Sequence, residues 1–321
     1  MLVTELEYRK AEATFSSATS VRCLPAPPDE ADLALAIRDA GAAAVIVGAR
    51  VYSGPLYDAL PSGGVIARFG VGHDGIDKAK ATMAGLLCTN TPGVLNRSVA
   101  EHTMLLVAAA ARAIVPMSGG MARHRWHPVT GTELEGKTLA IVGCGGIGRE
   151  VARIAHVGYG MRVIGCSRPQ VPLPAAPPHF STMTDDFATA ARDADFVSLH
   201  MSATHENVRW LDAVRLASLG ERSWLINTAR GSLVDERALF TALVQGRLAG
   251  AALDVFVHEP YEPADGSGDL RSLPNVILTP HVGSNTVEAN RRMAERALQN
   301  IALAGRHRFA QMDLLNPAVL R

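Results

Sequence analysis

Three polar side chains stand where apolar, strand-like runs end, and their types suit proton transfer beside an anion. They are Arg230 in "WLINTARGS", Glu259 in "ALDVFVHEP" and His281 in "VILTPHVGS". Histidine exchanges a proton near neutral pH, a carboxylate against its second ring nitrogen stabilises the imidazolium, and arginine holds a carboxylate or polarises a carbonyl. Singly, each is commonly a surface residue. Together they predict His281 as the acid/base, Glu259 as its orienting partner and Arg230 as the substrate anchor.

The elements that position these residues alternate between strand-like and helix-like segments. One such series fills the first third of the chain, a long apolar helical stretch runs from Asn96, with Ser98 and Glu101 spaced as a helix cap, and a second series begins at Leu139. This alternation predicts an α/β protein with parallel sheets. Because the carboxyl ends of parallel strands share one edge of a sheet, where ligands bind, the three side chains are expected on one rim.

A glycine-rich turn lies between a predicted strand and a predicted helix in "LAIVGCGGIGREVARIA". Gly143 allows a tight turn, Gly145 lets a pyrophosphate approach the backbone, and Gly148 lets helix and strand pack closely. The helix N-terminus offers free N–H groups and partial positive charge to the phosphates. The alternative is a purely structural turn. The context of strand, turn and helix favours a dinucleotide site.

The end of the next strand, "MRVIGCSRP", bears on the choice of dinucleotide. It carries Ser167 and Arg168, with no acidic residue to bind ribose hydroxyls. A carboxylate would repel a 2′-phosphate, whereas serine donates a hydrogen bond and arginine forms a charge-assisted fork. The sequence therefore predicts a preference for NADP, with NAD still possible. The alternative is that Arg168 is an ordinary solvated loop residue.

Composition limits the other classes of function. The 321 residues are 48% hydrophobic and carry 31 basic and 31 acidic side chains. The formal net charge is therefore zero, and it gives no indication of nucleic acid or an anionic membrane as a partner. The N-terminus does not resemble a signal peptide, and the apolar runs are too short to span a bilayer. The four cysteines lack the spacing of a metal site. We expect a soluble cytoplasmic protein without a metal.

The motifs considered together resemble one family. The set "VGCGGIG", "NTARGSLVDE", "LDVFVHEP" and "LTPHVGSNT", with "RFGVGHDGIDKAKATMAGLLCTNTPGVLNRSVAEHTMLL", is similar to the D-isomer-specific 2-hydroxyacid dehydrogenases over most of residues 64–305. The resemblance implies two Rossmann-like domains with parallel sheets, in which the nucleotide-binding domain is inserted into the substrate domain. On this basis the substrate domain is predicted to comprise residues 1–100 plus 286–321, and the dinucleotide-binding domain residues 101–285.

The resemblance also implies roles for particular residues. Arg230, Glu259 and His281 would be the catalytic residues, and Val71 and Gly72 would offer backbone N–H groups to the substrate carboxylate, with Arg230 and His281 also contacting substrate. The further positions implied for the cofactor are Gly146, Ile147, Thr228 and Asp254, the last against the nicotinamide carboxamide. The long helix after Ser98 would help to form a homodimer.

The activity expected is NAD(P)-dependent reduction of a small 2-keto acid, such as glyoxylate or hydroxypyruvate, to the D-2-hydroxy acid, and the reverse reaction. Ser202, His73 and Gly75 depart from residues that are frequent in the family, which leaves the shape of the substrate pocket open. A related dehydrogenase for phosphite or phosphoglycerate is an alternative, and so is a non-catalytic dinucleotide-sensing protein. Glu259 argues against a formate enzyme, which pairs its histidine with glutamine. The roles of Arg50 and Trp126 are left open.

Overall fold

The structure is a computed structural model that describes residues 1–19, 21–167, 177–264, 266 and 268–321. The strands are β1 (Leu2–Thr4), β2 (Leu24–Ala26), β3 (Ala44–Val47), β4 (Val65–Arg68), β5 (Leu87–Thr89), β6 (Thr138–Val142), β7 (Arg162–Cys166), β8 (Thr182–Thr184), β9 (Phe196–Leu199), β10 (Trp224–Asn227), β11 (Gly250–Leu253) and β12 (Val276–Leu278). The helices are α1 (Glu5–Lys10), α2 (Glu12–Ser16), α3 (Glu30–Ala40), α4 (Leu56–Ala59), α5 (Lys78–Met83), α6 (Asn96–Ala111), α7 (Ile114–Ala122), α8 (Gly146–Tyr159), α9 (Phe187–Ala191), α10 (Ala213–Leu216), α11 (Glu236–Val244) and α12 (Val287–Gly305).

The chain forms two compact units. The first comprises Met1–Leu95 with Asn285–Arg321, and the second comprises Asn96–Ser284. The predicted boundary after residue 100 is corrected to Leu95, because α6 starts at Asn96 and packs against α8, β10 and β11 of the second unit. The second boundary falls one residue before the predicted one.

The first unit is built on a parallel sheet of five strands in the order β2-β1-β3-β4-β5. Its central strand β3 is fully apolar and buried, and the neighbouring β4 is apolar and buried up to Arg68 at its end, as expected where helices cover both faces of a parallel sheet. The Asp29 side chain caps α3 by accepting hydrogen bonds from its first turn, and Gly41 ends the helix in the left-handed conformation that glycine tolerates best. Leu33 and Ile37 then pack against the sheet with no exposed surface.

The second unit is built on a parallel sheet of seven strands in the order β12-β11-β10-β9-β6-β7-β8. Neighbouring strands β6 and β9 are distant in sequence, which makes the point between them the topological switch point of a doubly wound sheet. Alternate residues of β6 face opposite layers. Leu139 and Ile141 pack in one apolar cluster with α6 and α8, and Ala140 and Val142 pack in another with α9. The predicted α/β class with parallel sheets is confirmed.

The long helical stretch after residue 96 differs from the prediction. Helix α6 already begins at Asn96 and Ser98 is buried within it, so the expected cap at Ser98 is wrong. The stretch is broken after Ala111, where Ala113 adopts a left-handed φ of 47°, and α7 leaves at an angle of 70°. In the described part of the chain no single helix is long and apolar enough to cross a membrane; only the bent pair of α6 and α7 together reaches that length and composition.

Candidate active site

The ends of three adjacent strands bring the predicted polar residues to one rim. Strands β10, β11 and β12 are parallel neighbours, with Asn227, Leu253 and Leu278 in register at their carboxyl ends. Arg230 and His281 each follow their strand by three residues. The same rim carries the glycine-rich turn after β6, because all seven strands are parallel.

His281 and Glu259 form a hydrogen-bonded pair on this rim. The His281 Nδ1 atom lies 2.6 Å from Glu259 Oε2, and their side chains are 32% and 33% exposed. Glu259 Oε1 accepts a hydrogen bond from the Phe256 N–H at 3.1 Å. Since an ionised carboxylate only accepts, the pair places a proton on Nδ1. The Nε2 atom makes no hydrogen bond among the described residues, so it is the nitrogen that can exchange a proton with a substrate.

The backbone of His281 is held in an uncommon conformation. Its φ is 52°, in the left-handed region that few residues other than glycine adopt. Its N–H donates to the carbonyl oxygens of Asp254 at 2.8 Å and Thr279 at 3.0 Å. The backbone of His281, after β12, is therefore held by a hydrogen bond to Asp254, the residue directly after β11.

Asp254 secures the loop that follows His281. Its carboxylate is 1% exposed and accepts hydrogen bonds from the N–H groups of Val282 at 2.9 Å and Gly283 at 2.8 Å, and from the Thr279 hydroxyl at 2.5 Å. His102 Nε2 on α6 lies 3.3 Å from the same carboxylate. Burial alone would raise the pKa of Asp254, but the hydrogen bonds from His102, Thr279 and Val282 outweigh it and hold the pKa below its ordinary value. The group is therefore a buried anion at neutral pH.

A second buried carboxylate supports the loop that carries Glu259. Glu236, at the start of α11, is 5% exposed and accepts a hydrogen bond from the Val257 N–H at 2.8 Å. Burial raises the pKa of Glu236, partly opposed by the hydrogen bond from Val257. The adjacent N–H groups of Phe256 and Val257 are thus held by two different glutamates.

Arg230 lies in the loop after β10, against the loop that carries Glu259. A β-carbon at the next residue, Gly231, would stand 1.9 Å from the Phe256 carbonyl carbon, so only glycine permits this approach. The Arg230 carbonyl accepts from the Asn227 side chain at 2.9 Å, and the guanidinium donates to the Ala229 carbonyl at 2.7 Å. Arg230 is therefore held in a packed turn on the same rim as His281.

The glycine-rich turn has the shape of a phosphate cradle. Gly143 has a φ of 98°, and a β-carbon there would lie 2.7 Å from the His200 carbonyl carbon at the end of β9. A β-carbon at Gly148 would lie 2.2 Å from the Gly143 oxygen, so helix α8 and β6 can approach closely only with glycine. At Gly145 nothing stands within 4 Å of such an atom. Open space at the start of α8 fits the pyrophosphate of a dinucleotide.

Helix α6 contacts two of the positions expected to touch the cofactor. The Asn96 side-chain nitrogen stands 2.5 Å from where a β-carbon of Gly146 would be. The Thr103 hydroxyl is hydrogen-bonded to that of Thr228 at 2.9 Å, and Thr228 is 8% exposed. Ile147 is partly buried against the apolar cluster beneath the turn. These positions are supported from α6 as well as from the sheet.

Of the two residues predicted to choose between NADP and NAD, the structure describes one. Ser167 follows β7 and is partly exposed, and its N–H donates to the Thr184 carbonyl at 3.1 Å. The prediction for Arg168 lies outside the described residues.

Val71 and Gly72 follow β4 in the first unit and are both partly exposed. Neither backbone N–H donates a hydrogen bond within the described part of the chain. The Val71 carbonyl accepts from the Asn90 side chain at 2.7 Å. Two adjacent N–H groups therefore remain available for a ligand.

Sequence reasoning missed His102, Thr279 and Glu236. His102 belongs to "SVAEHT", about 150 residues before its partner Asp254, so only the folded chain shows the contact. Thr279 directly follows β12 in "LTPH", and a polar residue next to a strand end was the available signal. Glu236 is the last residue of the motif "NTARGSLVDE" and begins α11, so its place in that motif was the available signal. Among the described residues, no group of three or more His, Cys, Asp or Glu side chains is placed to hold a metal ion.

The comparisons with known proteins agree with this fold. Residues 104–283 match the family described as "D-isomer specific 2-hydroxyacid dehydrogenase, NAD binding domain". Together with relatives of more than 30% identity over most of the chain, this match shows that the chain belongs to the D-isomer-specific 2-hydroxyacid dehydrogenase family. It is an NAD(P)-dependent oxidoreductase of that family, and the predicted family membership is confirmed.

Three relatives illustrate the likeness. A glyoxylate reductase of Thermococcus litoralis is 39% identical over 286 residues, which cover 86% of this chain and 84% of the relative. A hydroxypyruvate reductase of Thermotoga maritima is 38% identical over 242 residues, which cover 74% of this chain and 76% of the relative. The crystal structure of an NADPH-dependent glyoxylate/hydroxypyruvate reductase of Sinorhizobium meliloti, in complex with NADP and malonate, is 31% identical with a TM-score of 0.79, and the match covers 94% of this chain and 92% of that one.

His200, at the end of β9 beside the glycine-rich turn, generates a prediction about acid stability. Its ring is hydrogen-bonded to the buried Ser198 hydroxyl at 2.9 Å, and burial lowers its pKa from 6.5 to about 4. Between these values the unfolded chain binds a proton that the folded chain does not, so stability falls as the pH is lowered. Glutamine at this position can still hydrogen-bond to Ser198 but does not titrate. When the pH is lowered from 7 to 5, we therefore expect the unfolding free energy of His200→Gln to fall by about 1–2 kcal/mol less than that of wild type.

Urea unfolding at the two pH values measures this difference. His205→Gln, which alters an exposed histidine, is the matched control and should follow wild type. The same loss of stability in His200→Gln and wild type would contradict the assignment.

Proposed function

We propose that this dehydrogenase reduces a 2-keto acid of the size of glyoxylate or hydroxypyruvate to the D-2-hydroxy acid, and catalyses the reverse reaction. The observation that carries the proposal is the hydrogen bond of 2.6 Å between Glu259 and His281, on the rim that holds the glycine-rich turn. The printed names of the relatives, which are glyoxylate and hydroxypyruvate reductases, support the substrate class.

Proton transfer falls to His281. When bound, a nicotinamide dinucleotide supplies a hydride to a carbonyl carbon or accepts one from a carbinol. Reduction leaves negative charge on the substrate oxygen, and His281 Nε2 gives that oxygen a proton. Glu259 keeps the other ring nitrogen protonated and stabilises the imidazolium through a charge-assisted hydrogen bond, an interaction of about 1.5–3 kcal/mol. In the oxidative direction the neutral ring, with its proton on Nδ1, accepts the hydroxyl proton at Nε2.

The anionic end of the substrate requires donors. Arg230 offers a planar set of N–H groups that matches a carboxylate or polarises the neighbouring carbonyl. Val71 and Gly72 offer the two backbone N–H groups that make no hydrogen bond among the described residues. The proposal assigns the substrate carboxylate to these two backbone N–H groups.

The proposal keeps Asp254 as the residue beside the nicotinamide carboxamide and adds a second role. Its buried carboxylate already binds two N–H groups of the loop after His281. Asp254 therefore positions the acid/base in addition to any contact with the cofactor.

The rival functions make different demands. In the pair, Glu259 binds one ring nitrogen of His281 and the other is left for a substrate. A protein that only senses a dinucleotide has no need of such a pair, so the pair weighs against that function. Phosphite and 3-phosphoglycerate remain the chemical alternatives. Assaying wild type with a panel of 2-keto acids, phosphite and 3-phosphoglycerate decides among them, and turnover of none of the keto acids would overturn the proposal.

Replacement of His281 tests the proton-transfer step. We expect His281→Ala to lower kcat for keto-acid reduction by roughly 10²–10⁴-fold, because general acid catalysis is lost, while dinucleotide affinity is retained. The measurements are steady-state kinetics and fluorescence titration with the dinucleotide. His307→Ala is a matched control, since exposed His307 has a φ of 54°, close to the 52° of His281. An unchanged kcat in His281→Ala would remove the histidine from the mechanism.

A preference for NADP is part of the proposal and rests on the absence of an acidic residue at Ser167. We expect wild type to show the higher kcat/KM with NADPH. Ser167→Asp should reduce kcat/KM for NADPH on the order of tenfold and favour NADH, because a carboxylate repels a 2′-phosphate. A higher kcat/KM of wild type with NADH would contradict the preference.

A homodimer is also proposed, and exposed apolar side chains around the bend after α6 support it. Leu105 is 61% exposed, Ile114 50%, Met121 53% and Trp126 81%. Large apolar side chains exposed along one segment are a feature that protein interfaces commonly bury. We expect sedimentation equilibrium to give twice the chain mass of 34.0 kDa, and the mass of a single chain at micromolar concentration would contradict the dimer.

A further inference from the structure

The loop that carries Val71 and Gly72 is held from behind by the segment that follows β5. The Asn90 side chain donates to the Val71 carbonyl at 2.7 Å, and the Thr91 N–H donates to the Gly70 carbonyl at 3.0 Å. Strands β4 and β5 are parallel neighbours, so the segments after their carboxyl ends lie side by side. Two successive carbonyl groups of the loop are thereby bound by two successive residues.

The geometry of the peptide bond carries this restraint to the N–H groups. In a planar trans peptide the C=O of one residue and the N–H of the next point in opposite directions. The Val71 carbonyl shares a peptide group with the Gly72 N–H, and the Gly70 carbonyl shares one with the Val71 N–H. Fixing both carbonyl groups against Asn90 and Thr91 therefore aims both N–H groups away from that segment. A hydrogen bond to the carbonyl also polarises the peptide and strengthens its N–H as a donor.

Asn90 is itself held by a buried network from the C-terminal segment of the first unit. Its carbonyl accepts from the Asn300 side chain on α12 at 3.1 Å, and Asn90 and Asn300 are 7% and 1% exposed. The Asn300 amide also donates to Asp313 Oδ2 at 3.0 Å, and its oxygen accepts from the Asp313 N–H at 3.0 Å. Arg296 holds the Asp313 carboxylate with two hydrogen bonds of 2.6 and 2.8 Å.

We propose that Asn90, held by Asn300, is a positioning residue that orients the Val71–Gly72 backbone to bind the substrate carboxylate. The inference rests on the proposed function, which assigns the carboxylate to these N–H groups. A buried network in which the polar groups bind one another restricts orientation, because a rotated amide would leave a buried donor or acceptor without its partner. A purely structural asparagine would leave substrate affinity unchanged when it is replaced.

Two variants separate positioning from stability. Asn90→Leu keeps the approximate size of the side chain and removes the hydrogen bond to Val71. Asn316→Leu is the matched control: Asn316 is 5% exposed in the same unit and binds the backbone of Leu86, just before β5, and of Cys88 within β5, but not the Val71 loop. Both variants lose buried hydrogen bonds, so both are expected to lower the Tm.

Only Asn90→Leu is expected to weaken substrate binding. Its KM for the 2-keto acid should rise on the order of tenfold, the effect of losing one oriented hydrogen bond. Its dinucleotide Kd should stay within about twofold of wild type, and Asn316→Leu should keep both values. Calorimetric titration with oxamate, a keto-acid analogue that is not reduced, should show the same loss for Asn90→Leu without any catalytic step.

Each other outcome counts against the inference in a different way. An unchanged KM in Asn90→Leu, or an equal rise in KM in Asn316→Leu, overturns the positioning role and leaves the proposed function intact. The absence of keto-acid turnover in wild type overturns the proposed function and this inference together.

Discussion

The hydrogen bond between Glu259 and His281 is the interaction on which the proposed chemistry depends. It fixes which ring nitrogen carries a proton and leaves Nε2 for the substrate. The pair is only partly buried, so its geometry depends on the backbone beneath it. Asp254 fixes the loop after His281, and Glu236 fixes the loop that carries Glu259. Two buried carboxylates thus hold in place the partly exposed pair to which we assign proton transfer.

The parallel sheet explains why these groups meet. Strands β10, β11 and β12 end in register, so the loops that follow them are neighbours although they are separated in sequence. Glycine at position 231 then lets the Arg230 loop approach the Glu259 loop to within backbone contact. At the switch point, the same close approach at Gly143 and Gly148 leaves open space at Gly145. In the second unit, glycine therefore permits the close backbone contacts both at the Arg230 and Glu259 loops and at the glycine-rich turn.

Much of this arrangement could be predicted from the sequence, for local reasons. Alternating apolar segments indicated parallel sheets, and polar residues directly after those segments indicated a shared rim. What could not be predicted depends on contacts between distant segments. His102 reaches Asp254 only after α6 packs on the sheet, and the Asn300 amide reaches Asn90 across about 210 residues. The break in the helix at Ala113 had no glycine or proline directly at that position to indicate it.

The tautomer of His281 tests the central claim most directly. Nitrogen-15 NMR of the protein with labelled histidine reports which ring nitrogen is protonated in the neutral side chain. The account predicts a proton on Nδ1 and none on Nε2, because Nδ1 faces Glu259 at 2.6 Å. A neutral ring with its proton on Nε2 and an unprotonated Nδ1 would contradict the account, since Nδ1 could then not donate a hydrogen bond to the Glu259 carboxylate.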